Sequence, residues 1–254
     1  MTSIRSITGG LALSFGLLAF APSASAQFRQ QVYELGVHIG QYVYQGDLTP
    51  SSLGAFRSGG NAFGITVMRT LKSGFSLRAS FDHGFFSAND ALYSSPAYRK
   101  ERNFRFRAKA TELGAQLVWS FPGVPFNQRG FSAYAFGGAA MSWLRSSPDA
   151  SALNLEYFGG PGSAMAKGLA ADQAQGTPRL LPVLTSGIGV KYFFKPQWGV
   201  NAEWSYRMTG SDYIDGFSQS ANPSRKDHYM QYSIGILYRR GPRISALDCP
   251  KIRF

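Results

Sequence analysis

The chain alternates apolar and polar residues over several segments, each about ten residues long. Near the C-terminus, Met230, Ile234 and Ile236 fall on one face of such a segment. Gln231 and Ser233 fall on the opposite face. Because side chains alternate between the two sides of a β-strand, this pattern predicts strands with one apolar face and one polar face.

Eight segments are interpreted as strands, at 33–45, 60–71, 75–86, 103–120, 131–143, 181–194, 198–208 and 228–240. Most of them reach the roughly 9–11 residues that a tilted strand needs to cross a bilayer. Long connections at 46–59, 87–102, 144–180 and 209–227 alternate with short ones at 72–74, 121–130 and 195–197. An even strand number with this loop asymmetry is typical of an outer-membrane barrel. We therefore predict an all-β fold over 27–240, an eight-stranded antiparallel up-and-down transmembrane β-barrel.

The polar faces of these strands carry charged side chains, which are Glu34, Arg78, Asp82, Glu112, Lys191, Glu203 and Arg207, together with His38. An Arg or Lys facing lipid at the bilayer midplane costs about 2–4 kcal/mol, so these residues are predicted to point inward. The interior of an eight-stranded barrel is just wide enough for side chains to fill it. We predict a filled polar interior with a mixed ion-pair network and no open pore. The pairs stay open, since Glu112 is free to join either Arg78 or Lys191.

The fourth strand departs from a simple alternation. Its apolar residues occupy even positions up to Ala110 and odd positions from Leu113 onward. A β-bulge near Thr111-Glu112 would keep one apolar face outward. Without a bulge, the basic residues of 105–109 would point outward above the bilayer.

The N-terminus has the pattern of a cleaved signal peptide at 1–26. Arg5 precedes an apolar run at 11–20 that is too short to span a membrane. The small-residue site Ala24-Ser25-Ala26 follows, and cleavage is predicted after Ala26. The mature protein is therefore expected to be exported to the cell envelope.

The composition and net charge limit the kinds of partner that the protein is expected to bind. Charged residues make up only 16% of the chain, against about 25% in a typical soluble domain. The net charge of +12 would fit nucleic acid, but export favours acidic envelope surfaces instead, and we predict no nucleic-acid partner. The segment 98–109 interleaves basic and aromatic residues, and it would meet outer-membrane lipid and lipopolysaccharide phosphates, although an ordinary solvated strand end is an alternative.

The last segment, 241–254, is predicted to be a periplasmic tail with a partner-binding role. It carries Arg243, Lys251 and Arg253, and it holds Cys249, the single cysteine of the chain. One cysteine excludes a disulfide framework within the chain and a multi-cysteine zinc site. In an exported protein it suggests an intermolecular disulfide or a free thiol, and an inert buried thiol is the alternative.

Several segments resemble one known family. They are 44–48, 102–107, 187–192 and 203–209, followed by Ser211-Asp212-Tyr213-Ile214-Asp215. Together they are similar to the PorG family of Bacteroidota, the outer-membrane barrel of the type IX secretion system and of gliding machinery. The resemblance implies a non-enzymatic outer-membrane protein that associates with a periplasmic ring of PorK and PorN.

Two other functions are weighed. A general structural or adhesive barrel like OmpA or OmpX would bind ligands through its long loops, of which 144–180 is expected to form a short helix at 163–173. A barrel enzyme that modifies lipid A would need a nucleophile and a base at the outer rim, where His228 has no persuasive partner. We predict no catalytic residue, no cofactor and no metal. Asp47, Asp212 and Asp215 could bind calcium between loops, but no loop spacing supports a site, and Asp212 and Asp215 are assigned to capping and turn hydrogen bonding.

Overall fold

The computed structural model describes residues 32–50, 54–71, 74–121, 123–125 and 128–241. The predicted signal peptide and all of the predicted tail after Gly241 lie outside the described residues. The strands are β1 (Tyr33–Gln45), β2 (Gly59–Thr70), β3 (Phe75–Asn89), β4 (Arg105–Phe121), β5 (Gly130–Asp149), β6 (Leu180–Phe193), β7 (Trp198–Thr209) and β8 (His228–Arg240).

The eight strands form one closed antiparallel barrel in chain order. Each strand pairs with the next, and β8 returns to β1, with Tyr33 opposite Arg240 and Gln45 opposite His228. Closure leaves no free sheet edge, so every strand has a hydrogen-bonded neighbour on both sides. The predicted fold is confirmed. β3 and β5 run further toward the long loops than predicted, to Asn89 and Asp149.

The connections divide the barrel into two ends. The long-loop end holds loops L1 (46–58), L2 (90–104), L3 (150–179) and L4 (210–227), and the short-turn end holds 71–74, 122–129 and 194–197. L1 and L2 contain the 3₁₀ turns Phe56–Ser58 and Asp90–Leu92, and L2 also contains helix α1 (Tyr98–Arg102). L3 contains helix α2 (Ala164–Gln175), which confirms the predicted helix.

Helix α2 begins where the Ser163 side chain accepts a hydrogen bond from the Ala166 amide, and Gly176 follows its end with φ +68°. In the part of the chain described above, no helix is both long enough and apolar enough to cross a membrane.

The outer face of the barrel is apolar along its middle. Leu35, Val37 and Ile39 of β1 all point outward, and Ile39 is 65% exposed. Exposed aromatic residues flank this band at both ends, including Trp119, Phe131 and Trp198 near the short turns and Phe63, Phe85 and Trp143 near the long loops. An aliphatic band between aromatic girdles is the surface that a barrel presents to a bilayer.

The interior has two layers of different chemistry. Near the long-loop end, inward aromatic residues pack with apolar loop residues, in a core that includes Tyr42, Phe86, Phe106 and Tyr229 with Leu48, Phe104, Ile214 and Phe217. A Cβ atom at Gly84 would lie 2.5 Å from the Tyr42 ring, so glycine allows that ring to lie across the lumen. The charged residues occupy the layer below, and the interior is therefore polar over only part of its length.

The predicted β-bulge at Thr111-Glu112 is wrong. The pairing of β4 with β3 and β5 runs without a register shift, and inward and outward residues alternate throughout. Phe106, Ala108 and Ala110 point inward because they pack in the aromatic core beneath the loops. The exposed side chains of Arg105, Arg107 and Lys109 point outward, as the alternative reading of this strand expected. The pairing of β2 with β3 does contain a register shift, which lies between Gly59 and Ala62 of β2.

Candidate functional site: the filled lumen and its two ends

The centre of the lumen is built around Arg207 of β7. Its Nε donates to Glu112 Oε2 at 2.7 Å, its Nη1 to Ser205 Oγ at 2.7 Å and its Nη2 to Gln231 Oε1 at 2.6 Å. The guanidinium also lies over the rings of Tyr42 and Tyr229. Each of the three guanidinium nitrogens of this buried cation thus donates a hydrogen bond to an acceptor on the barrel wall.

Two further groups complete this central cluster. Asp82 Oδ1 lies 3.8 Å from Arg207 Nη2 and 2.9 Å from His38 Nε2. The Tyr229 hydroxyl donates to Glu112 Oε1 at 2.6 Å. Five strands are therefore linked across the lumen by one hydrogen-bonded network.

A second cluster lies closer to the short turns. Arg78 Nη1 contacts Glu203 Oε2 at 2.6 Å, and its Nε donates to Gln116 Oε1 at 2.9 Å. The Tyr134 hydroxyl donates to the same Glu203 oxygen at 3.0 Å, and the Arg78 guanidinium stacks 3.9 Å above the Phe136 ring. Each charge again has a partner of opposite sign from another strand.

Lys191 and Glu34 form the third interior pair, at 3.2 Å. The structure thus places all seven charged residues of the predicted network inside the barrel and brings them into pairs. Glu112 joins Arg207, rather than either of the two partners left open by the sequence. A cavity of about 20 Å³ remains beside Arg78 and Lys191, which is room for about one water molecule. Along the described residues, the lumen is filled.

Arg239 closes the short-turn end. Its guanidinium donates to the carbonyl oxygens of Pro196, Val124, Pro125 and Gln128 at 2.6–3.1 Å. It also lies 3.8 Å from the Phe193 ring centroid. Two turns are therefore held to the barrel wall by one cation. Sequence reasoning missed this residue, although an arginine on the inward face at the end of β8 was a visible signal.

At the long-loop end, the loops form a cap held by buried polar contacts. Asp90 accepts from Arg99 Nη1 at 2.8 Å and from Arg102 Nε at 2.6 Å. Both arginines also donate to the Asp47 carbonyl oxygen, which ties L2 to L1. Burial of these opposite charges is compensated because each carboxylate and guanidinium finds several partners.

L3 and L4 join the same cap. The Asp172 carboxylate of α2 accepts from the amides of Gln219 and Ser220 at 2.9 and 3.0 Å. The ring of Phe104 in L2 stacks on Phe217 in L4 with centroids 4.2 Å apart. L1 is thus joined to L2, L2 to L4 and L4 to L3, and the four connected loops cover the mouth of the barrel.

A carboxyl pair lies under this cap. The Tyr44 hydroxyl is 2.7 Å from Asp215 Oδ2 and 2.5 Å from Asp227 Oδ1. One phenol carries one proton, so Tyr44 can donate fully to only one of the two carboxyl groups. Burial raises the pKa of Asp227 to about 7, and burial together with the Asp227 charge raises the pKa of Asp215 well above its usual range. The sequence suggested a turn role for Asp215 but missed Asp227.

His228, the residue weighed for a catalytic role, is engaged by the backbone at the end of β7. His228 Nδ1 faces the Thr209 amide, and the neighbouring Asp227 carboxylate is engaged by Tyr44 instead. His38 is paired with Asp82 inside the lumen. Among the described residues, no group of three or more His, Cys, Asp or Glu side chains could hold a metal ion. The predicted partner-binding residues Cys249, Arg243, Lys251 and Arg253 lie outside the described residues.

A closed barrel with an apolar exterior and a charge-paired interior defines a transmembrane β-barrel protein. The chain belongs to the family of outer membrane protein beta-barrel domains, whose model matches residues 11–239. The fold and the family place it in the outer membrane.

Three solved barrels are similar in fold. Ail of Yersinia pestis, in complex with the heparin analogue sucrose octasulfate, has 11% sequence identity and a TM-score of 0.45, covering 83% of this chain and 99% of Ail. Neisserial surface protein A has 18% identity and a TM-score of 0.39, covering 82% and 96%. OprG of Pseudomonas aeruginosa has 10% identity and a TM-score of 0.41, covering 84% and 96%. No curated protein matches the sequence.

Proposed function

We propose that this protein is a non-enzymatic barrel of the type IX protein secretion machinery that anchors a periplasmic PorK/PorN-like ring. The identity of the machinery rests on the resemblance of the sequence to the PorG family. In this proposal the long loops are extracellular, and the short turns and the tail face the periplasm.

The filled lumen is the observation that carries the anchoring role. Charge pairs fill its middle, Arg239 ties down the short turns, and the interlocked loops cover the opposite mouth. A barrel closed in this way conducts no polypeptide through its own interior. Its contribution to transport therefore comes from its surfaces, which can hold partners at the membrane.

The surface at the short-turn end suggests the chemistry of such a partner. Among the described residues, the exposed charged side chains at this end are basic, namely Arg69, Arg129, Lys195 and Arg240. The predicted tail would add Arg243, Lys251 and Arg253. Such a rim favours association with an acidic protein surface. Cys249 would lie in the same region, where it could form a disulfide with a cysteine of the partner.

Co-purification tests this proposal. The tagged full-length protein is extracted in mild detergent, and bound periplasmic lipoproteins are identified by mass spectrometry. Ring components should accompany the wild type and should be lost from R69E/K195E/R240E. The control R57E/K100E/K226E makes the same charge change at the opposite end and should retain them. Equal recovery from both variants, or no ring component with the wild type, refutes the anchoring role.

A gene deletion distinguishes the proposed function from an adhesive barrel, and electrophoresis tests the proposed disulfide. Deletion of the gene should abolish export of proteins with C-terminal sorting domains, whereas loss of surface binding alone would indicate an adhesive barrel. Non-reducing electrophoresis of envelope fractions should show a larger species that disappears in C249S. Identical mobility of the two proteins would refute the disulfide.

A further inference from the structure

A groove of about 920 Å³ lies on the outward surface of the barrel, near the long-loop end. Its lining includes His83, Lys109, Thr111, Trp143, Arg145 and Arg179. We refer to it as the basic groove. It arises because β4 has no bulge, so that Lys109 faces outward rather than into the lumen.

Within the described part of the chain, the cations of the basic groove have no acidic partner. Lys109 and Arg145 are directly opposite each other on β4 and β5, and both side chains are exposed. Like charges in directly opposed positions destabilise a strand pair. Of the described residues, none forms an ion pair with Lys109, Arg145, Arg179 or the neighbouring Arg107, whereas Arg105 is paired with Asp149 at the strand tips. A bound anion would relieve this repulsion.

The level of the basic groove on the barrel identifies the kind of anion. One step further from the loops, the outward residues of the same strands are Phe81, Leu113 and Met141, all exposed and apolar. Trp143, which lines the groove, is 50% exposed and stands at this boundary. Aromatic residues of this kind mark the interface between headgroups and hydrocarbon. The groove therefore meets lipid headgroups, while the surface below it meets acyl chains.

We propose that the basic groove binds a phosphorylated glycolipid of the outer leaflet, with its phosphates on Lys109, Arg145 and Arg179 and its acyl chains against Leu113 and Met141. This inference rests on the orientation given in the proposed function, in which the long loops face outward. An amphiphile is favoured over a soluble anion because cationic and apolar surfaces are continuous here. The hydroxyl of Thr111, 2.8 Å from His83 Nδ1, lies in the groove as a further polar contact.

Binding of purified lipid A to the full-length protein in detergent micelles tests the proposal, with native mass spectrometry as the readout. Wild type should hold lipid A, and K109A/R145A should bind it at least about tenfold more weakly, because two charge-assisted contacts are removed. The control R69A/R240A removes two exposed cations at the other end and should bind as the wild type does. Lipid A without phosphates should bind the wild type as weakly as the variant.

Several outcomes would overturn the proposal. They are undiminished binding by K109A/R145A, an equal loss in R69A/R240A, and equal affinity for dephosphorylated lipid A. If inorganic phosphate or heparin binds the groove and lipid A binds no more tightly, the ligand is a soluble anion and the lipid assignment is wrong. Ring co-purification with K109A/R145A should be unchanged, so failure of this inference is distinguishable from failure of the anchoring proposal.

Discussion

Removal of the Arg207 side chain is expected to lower the free energy of unfolding, because it breaks the buried ion pairs of the lumen. In R207M, the Glu112 carboxylate loses its partner at 2.7 Å and Asp82 loses a cation at 3.8 Å, while both stay buried. Breaking a buried ion pair by removing one partner costs about 3–5 kcal/mol. With a urea dependence of about 1–3 kcal/mol per M, the unfolding midpoint should fall by about 1–5 M.

The second partner supplies the decisive comparison. E112Q leaves Arg207 with Ser205 and Gln231 and should cost about 1–3 kcal/mol. The double variant R207M/E112Q removes both charges of the pair. It should therefore be less destabilised than the sum of the two single variants, by about 1–3 kcal/mol.

Tryptophan fluorescence during urea unfolding in detergent micelles measures these differences, and electrophoresis without heating reports the folded fraction. R105M is the matched control, since its partner Asp149 sits in an exposed pair and little change is expected. The interior pairs do not stabilise the barrel in this way if the free energy of unfolding of R207M lies within about 1 kcal/mol of the wild-type value. The same conclusion follows if the effects of the two single variants simply add.

Three further predictions concern the cap, the short-turn end and the aromatic layer. The folded cap holds a proton on the Asp215/Asp227 pair up to about pH 7, whereas free aspartate ionises near pH 4, so cap stability should fall as pH rises through this window. Hydrogen exchange of 210–227, corrected for intrinsic rates, should be faster at pH 8 than at pH 5, and D215N/D227N should remove the difference. R239A should lower stability by about 2 kcal/mol and speed proteolysis at the short turns, because four carbonyl oxygens lose their donor; unchanged cleavage would contradict the clamp. G84V should cost about 1–3 kcal/mol, because a Cβ there would lie 2.5 Å from the Tyr42 ring and 2.9 Å from Ala62 Cβ, and adding Y42L should relieve only the first clash; electrophoretic mobility without heating checks both.

Much of the fold could be read from local pattern, for a definite reason. The two-residue repeat of a β-strand fixes which residues share a face. Because the outer face contacts lipid, the polar face must point into the barrel. That argument alone places Arg78, Glu203 and Arg207 in the interior, without the strand register. It could not choose partners, because a pair across the lumen depends on strand stagger and closure, which no local segment encodes.

The loops and β4 show where local reasoning ends. The switch of apolar residues in β4 predicts a bulge only if one face of the strand stays apolar along its whole length. The structure keeps the strand regular, because the folded loops convert the upper lumen into an apolar core that accepts Phe106 and Ala110. The pairing of Tyr44 with Asp215 and Asp227 likewise joins residues far apart in the chain.

The number of strands, their faces, the asymmetry of the connections and the inward charges follow from local sequence, since each depends on neighbours along the chain. The ion pairs, the loop cap, the Arg239 clamp and the outward basic groove arise only when the whole chain is folded. Each of these depends on the stagger at which the barrel closes and on contacts between distant loops. The strand stagger and the loop contacts follow from the packing of the whole chain rather than from any one segment.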